Sequence, residues 1–205
     1  MPRPDYWTID SEFDASYSLL AATEMLPLAE DQPHYWKWFV LAVHSALQGL
    51  LTLALRNTDT VLVQKPGVSR KMLAAFAGES DFPNPHMDNF LRLYRKAQTA
   101  TNLPQGSIPL PGSEKHDRAM TSLDGLRDEL THFNSKTFSI ERAMLVECPL
   151  ECCAVARHLL TSSGAIHWRY DEYRSVAVNA LDRLESQLRE RANNSFKGMP
   201  LRGTP

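Results

Sequence analysis

Residues 39–55 carry apolar side chains on almost every face of a helix, and this segment organises the expectations for the rest of the chain. Gln32-Pro33 precedes it, and proline is tolerated in a first helical turn, so the pattern predicts one long helix over about residues 33–56. A helix that is apolar all round must sit centrally. Upstream, residues 5–13 read as an irregular lead-in and residues 16–26 as a first helix of mixed polarity, which Pro27 ends or kinks. Downstream, Asn57-Thr58-Asp59 is expected to cap the long helix, Val61-Leu62-Val63 is a short apolar patch, and Pro66-Gly67 signals a turn.

A short helix closed by Gly78 follows over residues 69–77, and Asp81-Phe82-Pro83-Asn84-Pro85 cannot be regular. Helix resumes over residues 88–99, where Phe90, Leu91, Leu93, Tyr94 and Ala97 oppose Arg92, Arg95 and Lys96. Residues 102–112 hold Pro104, Pro109 and Pro111 and read as a loop or lid. Ser113 is a good N-cap with Glu114 in the first turn, and Ala119, Leu123, Leu126 and Leu130 then form a seam that faces partner helices. Ser139 offers another cap, while Pro149 argues for a fresh helix near Pro149-Leu150 that runs through Leu160 and closes at Ser162-Ser163-Gly164. The last helix covers about residues 169–191, with Tyr173, Val176, Ala180, Leu181, Leu184 and Leu188 on one side. No segment reads as a convincing strand. The expected fold class is all-α, an antiparallel helical bundle with extra short helices and loops, forming one domain over residues 1–192 and a flexible tail over 193–205.

Composition narrows the class. The 205 residues suffice for one sizeable core, and Cys148, Cys152 and Cys153 form no disulfide framework, which suits a reducing cytosol. Met1-Pro2-Arg3-Pro4-Asp5 has neither the charged nor the apolar region of a signal peptide, and His44, Ser45, Gln48 and Thr52 interrupt the long apolar run, so the expectation is a cytoplasmic protein without a membrane span. The formal net charge of −2 provides no global basic field, so any RNA must bind in a local cleft. Arg92, Arg95 and Lys96 are the densest basic cluster, a pattern more often solvated than functional.

Three constellations carry candidate chemistry. Glu129-Leu130-Thr131-His132 has the Glu-x-x-His spacing of di-metal bundles, which needs a second copy that the chain lacks. Cys148, Cys152, Cys153 and His158 match no common zinc spacing, so core packing is the better account and neither metal nor cofactor is expected. No phosphate-binding loop, dinucleotide fingerprint or nucleophile elbow occurs. The third constellation is Leu126-Arg127-Asp128-Glu129-Leu130-Thr131-His132-Phe133 at the end of an amphipathic helix. A permanent cation beside a titratable imidazole is a minimal kit for phosphodiester chemistry. An ion pair of Arg127 with Asp124 or Asp128, and a His132 favoured by the helix C-terminus, is the structural alternative. His44 and Gln48 share one helical face, either as a satisfied polar pair in the core or as part of the same cleft as Arg127 and His132.

With Tyr35-Trp36-Lys37-Trp38, His44 and Gln48 on the long helix, the Arg127 to Phe133 element and Lys136-Thr137-Phe138-Ser139-Ile140-Glu141, the chain resembles the HEPN superfamily of helical bundles. The resemblance spans roughly residues 35–188, with residues 57–112 as a poorly matched insertion. Arg127, Asp128 and His132 match the family's arginine, polar residue and histidine. The resemblance implies a homodimeric, metal-independent endoribonuclease whose two motifs meet in one cleft. On an ideal helix Arg127 and His132 lie about 140° apart, so either the helix breaks near Thr131 to Asn134 or a partner subunit completes the site. Thr131, Asn134 and Lys136 are then candidate phosphate contacts. Family members without activity imply a different class, a dimer that binds RNA, a nucleotide or a partner protein. Toxin-like defence against phage and a nucleotidyltransferase antitoxin are expectations at the level of the family.

Overall fold

The computed structural model describes residues 9–56, 60–132, 137 and 139–197. Among them are seven α-helices: α1 (Ser11–Asp31), α2 (Tyr35–Leu55), α3 (Pro66–Phe76), α4 (Phe90–Ala97), α5 (Glu114–Thr131), α6 (Arg142–Arg157) and α7 (Asp171–Lys197). The described residues contain no strand, and Gln64 and Met87 form an isolated bridge. The fold is all-helical, as the periodicity predicts.

Side-chain pairs give the directions of the helices. Arg56 reaches Glu12, and Gly49 abuts Ala15, so α1 and α2 form an antiparallel hairpin. Ser16 and Thr23 donate to the carbonyls of Tyr173 and Ala180, which sets α7 parallel to α1. Arg157 pairs with Asp182 and Glu185 while Arg142 and Val146 share a cavity wall with Arg191 and Asn194, so α6 runs against α7. Lys115 pairs with Glu151 and the Cys148 thiol donates to the Ala119 carbonyl, so α5 runs against α6. One end of the bundle therefore gathers Glu12, Arg56 and Arg169, while the other gathers Trp36, Arg142, Arg191 and the C-terminus of α5.

The central position of α2 follows from its composition. Phe39, Val40, Leu47, Leu50, Leu51 and Leu55 are fully buried, and α1, α4, α5 and α6 all pack on it. The helix is long and apolar enough to cross a membrane, yet 67% of that stretch is buried inside the protein, as befits a core helix. The segment between α2 and α5 joins the same core through Phe90, Leu93, Tyr94 and Ala97 of α4.

Four expectations need correction. The lead-in is helical from Ser11, because the Asp10 carboxylate accepts from the backbone N–H groups of Glu12 and Phe13 and caps α1. Pro27 lies inside α1 and Pro149 inside α6, neither ending nor starting a helix. Burial of Leu26 and Ala29 around the first proline, and of Cys148, Pro149 and Cys152 around the second, outweighs the roughly 3 kcal/mol that an interior proline costs. Residues 102–112 are a strap rather than a lid: Ile108 N–H donates to Ser163, Leu110 N–H to Ala97, and Leu110 is buried. Finally, α7 continues through Asn193 to Lys197, where a frayed tail was expected. The expected Asn57-Thr58-Asp59 cap and residues 198–205 lie outside the described residues.

The α1–α2 crossing has no spare room. A Cβ placed on Gly49 would lie 2.8 Å from the Ala15 Cβ and 3.1 Å from its Cα, neither of which can move aside. Gly49→Ala is therefore expected to destabilise the protein by about 1–3 kcal/mol despite better helix propensity, with Ala15→Gly restoring part of the loss. Urea unfolding of the two single variants and the double variant measures this.

Candidate active site

The sequence of α5 places Asp124, Arg127 and Asp128 within one turn, and α2 meets that turn with a polar residue in an apolar run. His44 is buried, its ring 4.2 Å from that of Phe90, and its Nε2 lies 3.1 Å from Asp124 Oδ1. Arg127 adds three contacts: Nη2 to Asp124 Oδ1 at 3.0 Å, Nη1 to Asp128 Oδ1 at 2.6 Å, and Nε to His44 Nε2 at 3.4 Å. One ring nitrogen cannot both donate to Asp124 and accept from Arg127. We assign the proton to Nε2, because the carboxylate is closer and requires a donor. The guanidinium then sits beside the ring edge without a hydrogen bond to it.

Burial, the largest influence, lowers the His44 pKa below its ordinary 6.5, and the Arg127 charge acts in the same direction. Asp124, by hydrogen bond and charge, and Asp128, by charge, oppose them without prevailing. The ring is neutral in the folded protein at neutral pH. His44 is thus a strut between α2 and α5 that fixes Asp124, which in turn holds Arg127.

Arg127 keeps its side chain 29% exposed, so the residue still meets solvent despite these contacts. His132 ends α5: its N–H donates to the Asp128 carbonyl at 2.8 Å, its φ of −104° and ψ of 57° leave the helix, and the residue is exposed. No hydrogen bond joins Arg127 to His132. The helix stops after Thr131, within the stretch where one of the two geometric options put a break, yet the two side chains of the chain are not paired. The protein matches no family model, no curated protein and no solved structure.

The remaining candidates are divided. Asp128 is exposed and ion-paired with Arg127. Thr131 donates its hydroxyl back to the Arg127 carbonyl at 2.7 Å, so its proton is already used. Asn134 and Lys136 lie outside the described residues. Gln48 does not accompany His44: it lines a separate cavity of about 210 Å³ with Ser11, Asp14, Gly49 and Met87. The shared face expected from their spacing splits because α4 and α5 cover His44, while α1 and the Met87 segment border Gln48.

Other sequence features are structural. Lys96 turns inward to the buried Asp88 carboxylate at 2.8 Å and to the carbonyls of Leu62 and Gln64, so the Arg92-Arg95-Lys96 cluster is partly spent on holding the segment between α2 and α5. The three cysteines are buried with free thiols; a hydrogen bond with Cys148 and then burial push Cys152 up, and burial raises Cys153. His158 Nε2 contacts the Ile108 carbonyl, away from any thiol hydrogen bond. Among the described residues no group of three or more His, Cys, Asp and Glu side chains is arranged to hold a metal ion.

The neutral His44 makes stability depend on pH. In the unfolded chain the imidazole takes up a proton near pH 6.5, whereas in the folded protein it does so only at lower pH, so the stabilisation is complete above about 6.5 and is lost as the pH falls toward the folded value. Unfolding free energies measured across pH 5 to 7.5 are expected to show a shallower acid loss for His44→Gln than for the wild type, and an equal slope would contradict the assignment.

Proposed function

We propose that the protein is a metal-independent endoribonuclease that works as a homodimer in the cytoplasm, with Arg127 of one protomer and His132 of the other acting on one phosphodiester. The observation that carries this reading is the contrast at the end of α5. Arg127 is pre-positioned by Asp124 and Asp128 with its side chain still partly exposed, while His132 stands exposed at the helix end without bonding to it. A second copy related by a two-fold axis can supply the missing partner to each. The match of Arg127, Asp128 and His132 to the HEPN motif points the same way.

In this mechanism the RNA 2′-hydroxyl attacks the adjacent phosphorus and its proton passes to a base, with His132 serving as base or as the acid that protonates the leaving 5′-oxygen. Arg127 neutralises charge that builds on the non-bridging oxygens, and Asp128 keeps the guanidinium oriented. The bond from phosphorus to the 5′-oxygen breaks, leaving a 2′,3′-cyclic phosphate and a 5′-hydroxyl. A role in phage defence, opposed by an antitoxin such as a nucleotidyltransferase, fits such an activity.

A second reading has its own support. Arg127 already faces two carboxylates, which reduces the charge it can offer a phosphate, and Leu73, Phe76 and Phe82 are exposed around an edge-to-face aromatic pair. These features suit a non-catalytic dimer that binds RNA, a nucleotide or a partner protein. Incubation with labelled RNA separates the two. The nuclease reading expects cyclic-phosphate products that persist in EDTA and fall by at least about a hundredfold in His132→Ala and in Arg127→Ala. Cleavage that stops in EDTA, or that survives both substitutions, would falsify it.

A further inference from the structure

A cavity with a built polar wall lies at the opposite end of the bundle from His132. His44 stands level with Asp124, so His132 is level with about Trp36, and the twenty residues from there to Arg56 span about 30 Å of helix. At that far end Arg56, Thr60, Leu103, Trp168 and Arg169 line a cavity of about 760 Å³, open to solvent and within the size range of small-molecule sites.

Its charge is organised from behind by one carboxylate. Glu12 is 1% exposed and accepts from Arg56 Nη2 at 3.2 Å, from the backbone N–H of Arg169 at 3.0 Å and from that of Tyr170 at 3.3 Å, with Arg169 Nε 4.0 Å away. A buried carboxylate held by this many donors anchors the Arg56 guanidinium and the backbone that carries Arg169. Two cations against one anion leave one positive charge in the wall. The Arg169 side chain is 63% exposed and, among the described residues, holds no closer acceptor, so it can close onto a ligand. Leu55, Leu62, Leu103, Pro104 and Trp168 give the wall an apolar and aromatic side, and Thr101, Asn102 and His167 add uncharged or titratable polar groups beside it. Two further features set the cavity apart. Trp168 Nε1 is enclosed without an acceptor among the described residues, and Thr60 holds a left-handed backbone with φ 55°, unfavourable for a β-branched side chain. Retained backbone strain clusters at functional sites, and an enclosed donor without an acceptor calls for an explanation.

From this arrangement we infer that the cavity formed by Arg56, Leu103, Trp168 and Arg169 binds a singly charged carboxylate with an aromatic or apolar body. The carboxylate takes the two-pronged face of Arg169 with Arg56 behind it, and the body lies along Trp168, Leu103 and Pro104. A phosphate dianion would exceed the single uncompensated charge, and a fully apolar ligand would leave both guanidinium groups desolvated. The carboxylate can belong to a free organic acid or to the C-terminus of a peptide.

Calorimetric titration of the wild-type protein tests this with 3-phenylpropionate, its neutral amide, Gly-Gly-Phe and AMP. Binding of 3-phenylpropionate or Gly-Gly-Phe at least tenfold tighter than the amide, and tighter than AMP, is expected. The tighter of the two acids identifies a free acid or a chain terminus as the source. Arg169→Gln, which keeps the backbone N–H on Glu12, should remove the preference for acid over amide, while His132→Ala should leave it intact. Equal binding of acid and amide, stronger binding of AMP, no binding of either acid at millimolar concentration, or an undiminished preference in Arg169→Gln would each overturn the inference. Because the site is tested without RNA, failure of the nuclease proposal does not affect the outcome.

Discussion

The rest of the structure depends on the need to cover α2. A helix apolar on all sides has no solvent face to present, so the other helices must surround it, and hydrophobic burial supplies the dominant driving force for that arrangement. Phe39, Leu47, Leu50 and Leu51 are at or near zero exposure, and four other helices contact the same rod. Within so dry an environment each polar interruption of α2 must find a partner. His44 finds Asp124 on α5, and Arg56 at the helix end finds Glu12 on α1. Both candidate sites are therefore consequences of how α2 is wrapped.

That origin explains their different characters. At one end the chain from His44 through Asp124 to Arg127 turns a core contact into a fixed position for a surface cation, and α5 stops soon after at His132. At the other end Glu12 gathers a guanidinium and two backbone N–H groups from segments that come together only in the fold. The proposed catalytic pair needs a second chain, whereas the described lining of the cavity near Arg56 comes from one chain. A dimer is thus part of the proposed catalytic site and irrelevant to the carboxylate cavity.

Hydrophobic periodicity made the helices legible: α2 begins and ends within two residues of its expected bounds, and the seam of Ala119, Leu123 and Leu126 is buried as its spacing requires. Prolines were the main local failure, because Pro27 and Pro149 act within helices whose burial decides the matter. Asp10 could have been found as a cap from its place just before Ser11 and Glu12. Of the site, the ion pair of Arg127 with Asp124 was legible because a separation of three residues brings side chains to one helix face, whereas the pair with the adjacent Asp128 depends on the reach of the long arginine side chain. The junction of His44 with that turn was one of two open readings, and Gln48 parted from it because neighbouring helices cover different sides of α2. Glu12 left no signal at all: its partners are 44 and 157 residues away, and no local pattern encodes such a meeting.

The central claim is that Arg127 and His132 act across a subunit boundary, and mixing inactive variants measures it most directly. A dimer of one Arg127→Ala chain and one His132→Ala chain retains one intact composite site if the pair works between protomers. Co-refolding the two variants in equal amounts should then restore RNA cleavage to roughly a quarter of the wild-type level, since about half of the dimers are mixed and each keeps one of two sites. A mixture as inactive as either variant alone, with subunit exchange verified, would contradict the claim.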